Sequence, residues 1–297
     1  MIIITIGGGL GNQMFQYAFY TKMKHCYPDE IIKLDIYNSF QEVFNGYELE
    51  RIFGLRAEEC SVEEVAMLSD YYPVTGKNYQ FHRIVCKIKR VLGIHKKSFR
   101  EQEDYVGYSD DYLDLERGQS YLFRGAFANA RYFSDIKEEI MKIYSFPEIE
   151  DTKNILLARK IMESESVSIH VRRGDYEDLG IEMTQEVFYR NAMRYIENEV
   201  GERVQYFVFS DDLVWVKEHF SDVKNLEIVS GNEGENSFRD MQLMSLCKHN
   251  IIANSTFSFW GAYLNKNKNK IVVLPNLTFT GSNNLFMDDD WIVLENK

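Results

Sequence analysis

The sequence predicts an α/β protein with two halves, each built on a doubly wound parallel sheet. In the second half, short apolar runs alternate with amphipathic stretches, as βαβ units require. The first half opens with an apolar run, a glycine-rich turn and an amphipathic stretch, in that order. The chain has 297 residues, enough for two domains of about 150 residues each, and two such halves imply a cleft between them.

The first half becomes less regular after its opening βα unit, and residues 37–117 show no clear period. The predicted elements are strands at 2–6, 31–34 and 119–126 and a helix at 13–25. Pro147 and an acidic, helix-prone connection follow. We place the domain boundary there, with one domain at 1–150 and the other at 151–297.

The second half has a more regular pattern. Strands are predicted at 166–171, 204–209, 226–229, 250–253 and 271–274. Between the first two, the stretch 184–200 places four residues on one helical face, with Thr184 as the expected N-cap: Phe188, Ala192, Tyr195 and Ile196. Open parallel sheets bind ligands at the carboxyl ends of their strands, so functional residues are expected there.

Composition excludes several classes of protein. The 34 Lys and Arg residues against 46 Asp and Glu give a net charge of −12, which argues against nucleic acid as a main partner. The four cysteines are scattered without metal-ligand spacing, which predicts reduced thiols. The apolar start soon reaches glycine, and no stretch approaches the roughly 18 apolar residues of a spanning helix. We therefore expect a soluble, cytoplasmic protein.

The first candidate site is the glycine-rich turn after the first strand. Gly8, Gly9 and Gly11 would let backbone N–H groups approach an anion at a helix N-terminus, and Asn12 and Gln13 add side-chain amides. The spacing is not that of a dinucleotide-binding fingerprint. A tight βα turn without a ligand explains the glycines as well.

The second candidate site follows the strand 166–171. Arg172 and Arg173 lie where a ligand is expected, and guanidinium groups favour phosphate because they stay charged and form paired hydrogen bonds. Alternation along the strand puts His170 and Arg172 on one face and Arg173 on the other. An Arg–Asp pair that closes a loop is the structural alternative.

Two further strand ends carry polar residues. Asp211 follows the strand 204–209 and could accept hydrogen bonds from a base or a ribose, although a helix N-cap explains it equally well. The run Asn254, Ser255, Thr256, Phe257 and Ser258 begins a helix, where free N–H groups and hydroxyls suit an anion. The D-x-D spacing in 288–290 resembles a cation site, but a solvated acidic loop is the preferred interpretation, and no metal site is predicted.

Four segments together carry a family resemblance: GGLGNQMFQYA at 8–18, SIHVRRGDY at 168–176, FSDD at 209–212 and NSTFSFWGAYLN at 254–265. In order and spacing they resemble the bacterial α-1,2-fucosyltransferases of glycosyltransferase family 11. The resemblance implies a GT-B-type fold, in which two Rossmann-like domains face each other across a cleft. It also implies that the C-terminal domain binds GDP-fucose and the N-terminal domain takes the acceptor.

The reaction implied is an inverting transfer of fucose to the 2-hydroxyl of a terminal galactoside, in surface polysaccharide or O-antigen synthesis. GDP-fucose is then a co-substrate, and neither a cofactor nor a metal is expected.

The resemblance also implies a role for each candidate residue. Arg172 would hold the β-phosphate of GDP and stabilise the leaving group, a charge role that positive residues can fill. Asn12 would lie beside the scissile bond. His170 and Asp211 would lie near the guanosine, and 255–258 near the phosphates or the fucose. Arg173 and Asp175 would support the site. Asp175 is the nearest carboxylate in sequence for a general base, and the base itself stays unassigned.

One segment stands apart from this pattern. Residues 82–100 carry seven Lys and Arg and no acid, with apolar residues at helical spacing. Such a helix can lie on an anionic membrane face, which predicts a peripheral membrane contact. A helix that packs its apolar face on its own domain is the alternative interpretation.

Three other functions are alternatives to fucosyl transfer. A GT-B enzyme with another nucleotide-sugar donor fits the same residues, and so does a non-catalytic protein that binds a nucleotide sugar. A phosphatase or kinase fits poorly, because the sequence has neither a P-loop lysine nor a nucleophile motif.

Overall fold

A computed structural model describes residues 1–37, 45–56, 58–69, 84–85, 88–89, 91–94, 96–174, 176, 180–277, 287–288 and 290–297. They form two compact units, Met1–Ile143 and Tyr144–Lys297. Each unit contains its own parallel sheet. The α/β class predicted from the sequence is therefore confirmed.

Unit 1 has a four-stranded sheet in the order β2-β1-β4-β3. Its strands are β1 (Ile2–Thr5), β2 (Ile32–Asp35), β3 (Phe99–Glu101) and β4 (Tyr121–Arg124). All pairings are parallel. The strand predicted at 119–126 is β4, whereas β3 lies in the region where the sequence showed no period. The chain leaves β1 toward β2 on one side and returns to β4 on the other, so the sheet changes direction beside β1.

The helices of unit 1 are α1 (Leu10–Cys26), α2 (Glu48–Phe53), α3 (Val62–Leu68) and α4 (Lys137–Ile143), with 3-10 turns at Asp110–Tyr112 and Ala130–Ile136. The helix α1 is buried over most of its length, and Phe19 in its middle stacks on Phe127 with ring centroids 4.0 Å apart. Phe123 and Tyr132 meet the same ring edge-on. This aromatic cluster fixes α1 against β4.

Unit 2 has a six-stranded parallel sheet in the order β10-β9-β8-β5-β6-β7. Its strands are β5 (Glu165–Val171), β6 (Val204–Ser210), β7 (Leu226–Ile228), β8 (His249–Ile251), β9 (Val272–Pro275) and β10 (Ile292–Leu294). Five of them match predicted strands. The sixth, β10, was not predicted because its three residues lie in a polar terminal stretch.

The helices of unit 2 are α5 (Thr152–Glu163), α6 (Glu186–Val200), α7 (Leu213–His219), α8 (Phe238–Leu246) and α9 (Thr256–Tyr263), with a 3-10 turn at Gly234–Asn236. The predicted apolar face of α6 is confirmed, since Phe188, Ala192 and Ile196 are fully buried against the sheet. The predicted N-cap Thr184 is wrong. The cap is Gln185, whose N–H bonds to the Asn296 side chain, while Thr184 itself is buried.

The topology of unit 2 determines where a ligand is expected. The chain runs from β5 to β6 and β7 on one side, then crosses to β8 and β9 on the other. The sheet therefore changes direction between β5 and β8, and the carboxyl ends of these two strands form the switch point at which open α/β sheets bind ligands. Among the described residues, no helix combines the length and apolar composition needed to span a bilayer.

Candidate active site

The switch point of unit 2 brings together three of the segments that the sequence singled out. Arg172 and Arg173 follow β5, Asp211 follows β6, and Ser255 precedes α9 after β8. Because the strands are parallel and adjacent, their carboxyl ends lie along one edge of the sheet. The residues therefore converge although they are distant in sequence.

Arg172 is fixed at this edge by the carboxylate of Asp211. Its Nη1 lies 2.9 Å from Oδ2 of Asp211, and 33% of its side chain is exposed. The guanidinium lies over the ring of Tyr176, with Cζ 5.7 Å from the ring centroid. Asp211 also accepts the backbone N–H groups of Arg173 at 2.9 Å and Gly174 at 3.2 Å. One carboxylate thus holds both the loop and the guanidinium, and leaves the cation accessible to an anion.

The structure can be compared with the alternatives stated for the arginines, a loop-closing Arg–Asp pair, and for Asp211, a helix N-cap. The loop-closing Arg–Asp pair is present, and it coexists with an accessible arginine. The N-cap of α7 is not Asp211 but Asp212, whose Oδ1 accepts the N–H of Trp215 at 2.9 Å. The predicted contact of Asp211 with a nucleoside stays a prediction.

Arg173 faces a different neighbourhood. Its guanidinium lies over the ring of Trp215 at 4.7 Å, and its Nε is 3.6 Å from the carboxylate of Asp212. The two adjacent arginines therefore have separate partners, as alternation along a strand requires. Arg173 packs beside α7 and supports the loop, whereas Arg172 is the better placed for a ligand.

His170 is bound to the N-terminal turn of α9. Its Nδ1 lies 2.7 Å from the hydroxyl oxygen of Ser258, and that oxygen also accepts the N–H of Ala253 at 3.0 Å. Burial, with a smaller contribution from Arg172, lowers the pKa of His170 to about 3, so the ring is neutral at pH 7. The backbone oxygen of His170 accepts the hydroxyl of Tyr189. These contacts join the ends of β5 and β8 across the switch point.

The first turn of α9 is open to a ligand at two side chains. Thr256 and Phe257 are half-buried, while Ser255, the N-cap, is buried and its side chain makes no capping bond. The turn contains no acidic residue, so no carboxylate of its own neutralises the positive end of the helix. This composition suits an anion.

Asn254 precedes this turn and is 3% exposed. Its Nδ2 donates to the backbone oxygen of Glu182, and its own backbone oxygen accepts the Tyr176 hydroxyl at 2.9 Å. Its Oδ1 is buried, and no described residue donates to it. Asn254 thereby ties the β8 end to the loop after β5. Tyr176, which contacts both Arg172 and Asn254, was not singled out from the sequence, although it lies within the motif quoted above.

The side chains of Gln13 and Glu48 bond to backbone groups in and around the glycine-rich turn of unit 1. Gln13 is fully buried, and its amide bonds to the backbone oxygens of Gly8 and Gly46 and to the N–H of Glu48. The Glu48 carboxylate in turn accepts the N–H of Leu10, the first residue of α1. An internal carboxylate therefore occupies the helix N-terminus at which the sequence suggested an external anion. No local sequence pattern indicates this contact, because Glu48 lies far along the chain from Leu10.

Asn12 is the half-buried polar side chain of this turn. Its Oδ1 accepts the hydroxyl of Tyr105 at 2.7 Å. Gly8 has a φ of +78°, and a Cβ there would lie 2.6 Å from the Nδ2 of Asn12. Gly9 is the N-cap of α1, and Gly11 is buried within the first turn. The conformation of Gly8 and the bond from Tyr105 therefore fix where the Asn12 amide lies.

Two predictions depend on acidic residues. Asp175 and Asp289 lie outside the described residues. Among those that are described, no group of three or more His, Cys, Asp or Glu side chains could hold a metal ion. Asp35, at the end of β2, is buried and accepts the Thr5 hydroxyl and the N–H of Tyr37. Burial raises the pKa of Asp35, and its carboxylate holds the turn after β2.

Two Rossmann-like units, with an accessible arginine and a helix N-terminus at the switch point of the second, match the architecture of the GT-B class. The fold resembles that of the fucosyltransferase NodZ from Bradyrhizobium, with a TM-score of 0.51 and 12% identity over 88% of this chain and 91% of that one. The chain belongs to glycosyl transferase family 11, whose model matches residues 1–295.

Three relatives illustrate the range of this family. The O-antigen biosynthesis glycosyltransferase WbnK of Escherichia coli is 30% identical, over 97% of this chain and 99% of its own. An alpha-1,2-colitosyltransferase of Escherichia coli is 32% identical, over 94% and 92%. The galactoside alpha-(1,2)-fucosyltransferase 1 of Leontocebus fuscicollis is 27% identical, over 56% and 48%.

Proposed function

We propose that this family 11 enzyme transfers L-fucose from GDP-fucose to the 2-hydroxyl of a terminal galactoside, with inversion, during surface polysaccharide synthesis. The accessible guanidinium of Arg172, fixed by Asp211 at the switch point, carries the proposal. A glycosyl transfer from a nucleoside diphosphate needs positive charge where the diphosphate leaves. Relatives that transfer sugars to O-antigens and to the 2-position of galactosides support the acceptor side.

The proposed step is a single displacement. The acceptor oxygen forms a bond to the anomeric carbon on the face opposite the diphosphate, and the bond between that carbon and the β-phosphate oxygen breaks. GDP leaves with the electron pair, and the hydroxyl proton passes to a base that stays unassigned. Arg172 and the first turn of α9 stabilise the charge on the leaving phosphate. The guanidinium thus performs the role that a divalent cation performs in other transferases, so we propose that the reaction needs none.

A second donor is favoured by one specific observation. The alpha-1,2-colitosyltransferase matches nearly the whole chain at 32% identity. Colitose is fucose without its 3-hydroxyl, so the same arginine and the same helix N-terminus serve both donors. A site built to bond that hydroxyl rejects the deoxy sugar by about 10⁴-fold or more, whereas an apolar pocket discriminates only weakly.

A donor panel separates the candidates. We would measure turnover of GDP-fucose, GDP-colitose, GDP-mannose and UDP-galactose with lactose and with a 2-deoxygalactoside, in EDTA. We expect transfer only from GDP-fucose and only to lactose, with an α-1,2 linkage in the product by NMR. A preference for GDP-colitose identifies the second donor. Binding of GDP with neither transfer to lactose nor hydrolysis of any of the four donors would contradict the catalytic proposal and favour a nucleotide-sugar-binding protein.

A further inference from the structure

Most apolar side chains in the described part of the segment 84–100 of unit 1 are uncovered. Five of them are more than half exposed: Ile84 at 59%, Ile88 at 54%, Val91 at 80%, Leu92 at 66% and Ile94 at 55%. The first four follow the spacing of one helical face. A helix packed on its own domain would bury these side chains, so the alternative interpretation of this segment does not describe the structure.

The end of the segment is fixed to the body of unit 1. The ammonium of Lys96 donates to the backbone oxygens of Ala66 and Met67, both at 2.9 Å, and the Ser98 hydroxyl donates to that of Leu68. The strand β3 begins at the next residue and pairs with β4. Met67 is itself 66% exposed beside this attachment. One end of the segment is therefore attached to the edge of the sheet of unit 1.

Charge distinguishes this segment from the rest of the chain. Its 17 residues, 84–100, contain six of the 34 Lys and Arg and none of the 46 Asp and Glu. The remainder of the chain thus has 28 basic and 46 acidic residues, a net charge of −18. An anionic surface attracts the segment and repels the remainder, which orients the protein.

We propose that the segment 84–100, together with Met67, docks on the surface of an anionic lipid bilayer. Aliphatic side chains enter the boundary between headgroups and acyl chains, while the lysines and arginines remain among the phosphates. A nucleic acid fits less well, because five aliphatic side chains find no partner on a phosphate backbone, and Phe99, the one Phe, Tyr or Trp of the segment, is half-buried in β3. The inference does not depend on the identity of the donor sugar.

Co-sedimentation of the full chain with vesicles tests the proposal. The vesicles are phosphatidylcholine alone or phosphatidylcholine with about one third phosphatidylglycerol. The charge variant is Lys89→Glu with Lys97→Glu, and the apolar variant is Val91→Ser with Leu92→Ser. All four residues are exposed. The matched controls lie in unit 2: Lys266→Glu with Lys268→Glu, and Leu156→Ser with Met162→Ser, which are exposed as well.

The wild type is expected to bind only the anionic vesicles, and binding should weaken in high salt. Both segment variants should bind at least tenfold more weakly, the controls should bind like the wild type, and turnover of a water-soluble acceptor should be equal in all five proteins. Failure to bind anionic vesicles, or equal losses in the controls, would overturn the proposal. So would self-association by sedimentation velocity that the apolar variant abolishes, which would assign the surface to a second copy of the chain.

Discussion

The hydroxyl of Ser258 lies 2.7 Å from Nδ1 of His170, and this contact joins the first turn of α9 to the end of β5. The Ser258 oxygen accepts the N–H of Ala253. We infer that its own proton is donated to Nδ1. Since the ring is neutral, its single proton is then on Nε2, which leaves Nε2–H as a donor for a ligand oxygen.

Replacing Ser258 by alanine should remove the preference of His170 for the tautomer protonated on Nε2. The change leaves two buried groups unpaired, Nδ1 of His170 and the N–H of Ala253, and each costs about 1–3 kcal/mol. We expect a lower free energy of unfolding, a mixed tautomer by ¹⁵N NMR of the His170 ring, and a raised KM for the donor. Ser245→Ala removes a serine hydroxyl from α8 that bonds only to a helix carbonyl, and serves as the control. A wild-type ring protonated on Nδ1 would contradict the assignment.

His170 should also make stability depend on pH. Its pKa is lowered in the folded state to about 3, so the unfolded chain binds the proton more readily. The stabilisation is complete above the unfolded pKa near 6.5 and is lost as pH falls toward 3, amounting to roughly 2 kcal/mol between pH 7 and pH 5. Urea unfolding of the wild type and of His170→Gln should therefore converge as pH falls. Parallel stability curves from pH 7 to pH 4 would contradict the buried neutral ring.

Asp211→Asn should lower kcat/KM more than Asp212→Asn does. The carboxylate accepts two backbone N–H groups and pairs with Arg172, and an amide can satisfy only part of this set. We expect kcat/KM to fall by about 10- to 100-fold, because the guanidinium loses a charge-assisted partner. Asp212→Asn should be mild, since asparagine is an equally good N-cap for α7. Equal losses in the two variants would mean that Asp211 has no special role in holding Arg172.

The turn of unit 1 offers a paired test of Asn12. In Gly8→Ala, a left-handed φ costs about 1–2 kcal/mol, and the new methyl group would meet the Asn12 amide at 2.6 Å. In Gly9→Ala, φ is −72° and no atom lies within 4 Å of the new Cβ. We expect turnover to fall in the first variant and to stay near wild type in the second. Gly8→Ala with full turnover would show that the position of Asn12 is unimportant.

The regular elements of unit 2 could be predicted because each strand is a buried apolar run between turn residues. In β6, for example, Val204, Tyr206 and Val208 all lie in the hydrophobic core. The sequence was less informative for unit 1, where β3 is a three-residue edge strand whose Arg100 and Glu101 are exposed. An edge strand of this kind has no apolar period, and its pairing with β4 depends on residues distant in sequence.

The candidate site was predictable as a set of strand ends, but not as a network. The motif positions of Arg172 and Asp211 follow from β5 and β6, whereas the two backbone bonds that Asp211 makes do not follow from any local pattern. The same holds for the burial of Gln13 and for Glu48 at the start of α1. Such contacts join residues far apart in sequence, so only the folded chain defines them.

The most direct test of the central claim is the effect of Arg172→Ala on transfer from GDP-fucose to lactose in EDTA, with Arg159→Ala as an exposed control on α5. Loss of the guanidinium from the leaving group should lower kcat by about 10²- to 10³-fold, and the control should be unaffected. Arg172→Lys should recover only part of the loss, because lysine keeps the charge without the paired donors. Unchanged kcat in Arg172→Ala, with GDP still bound, would contradict the account.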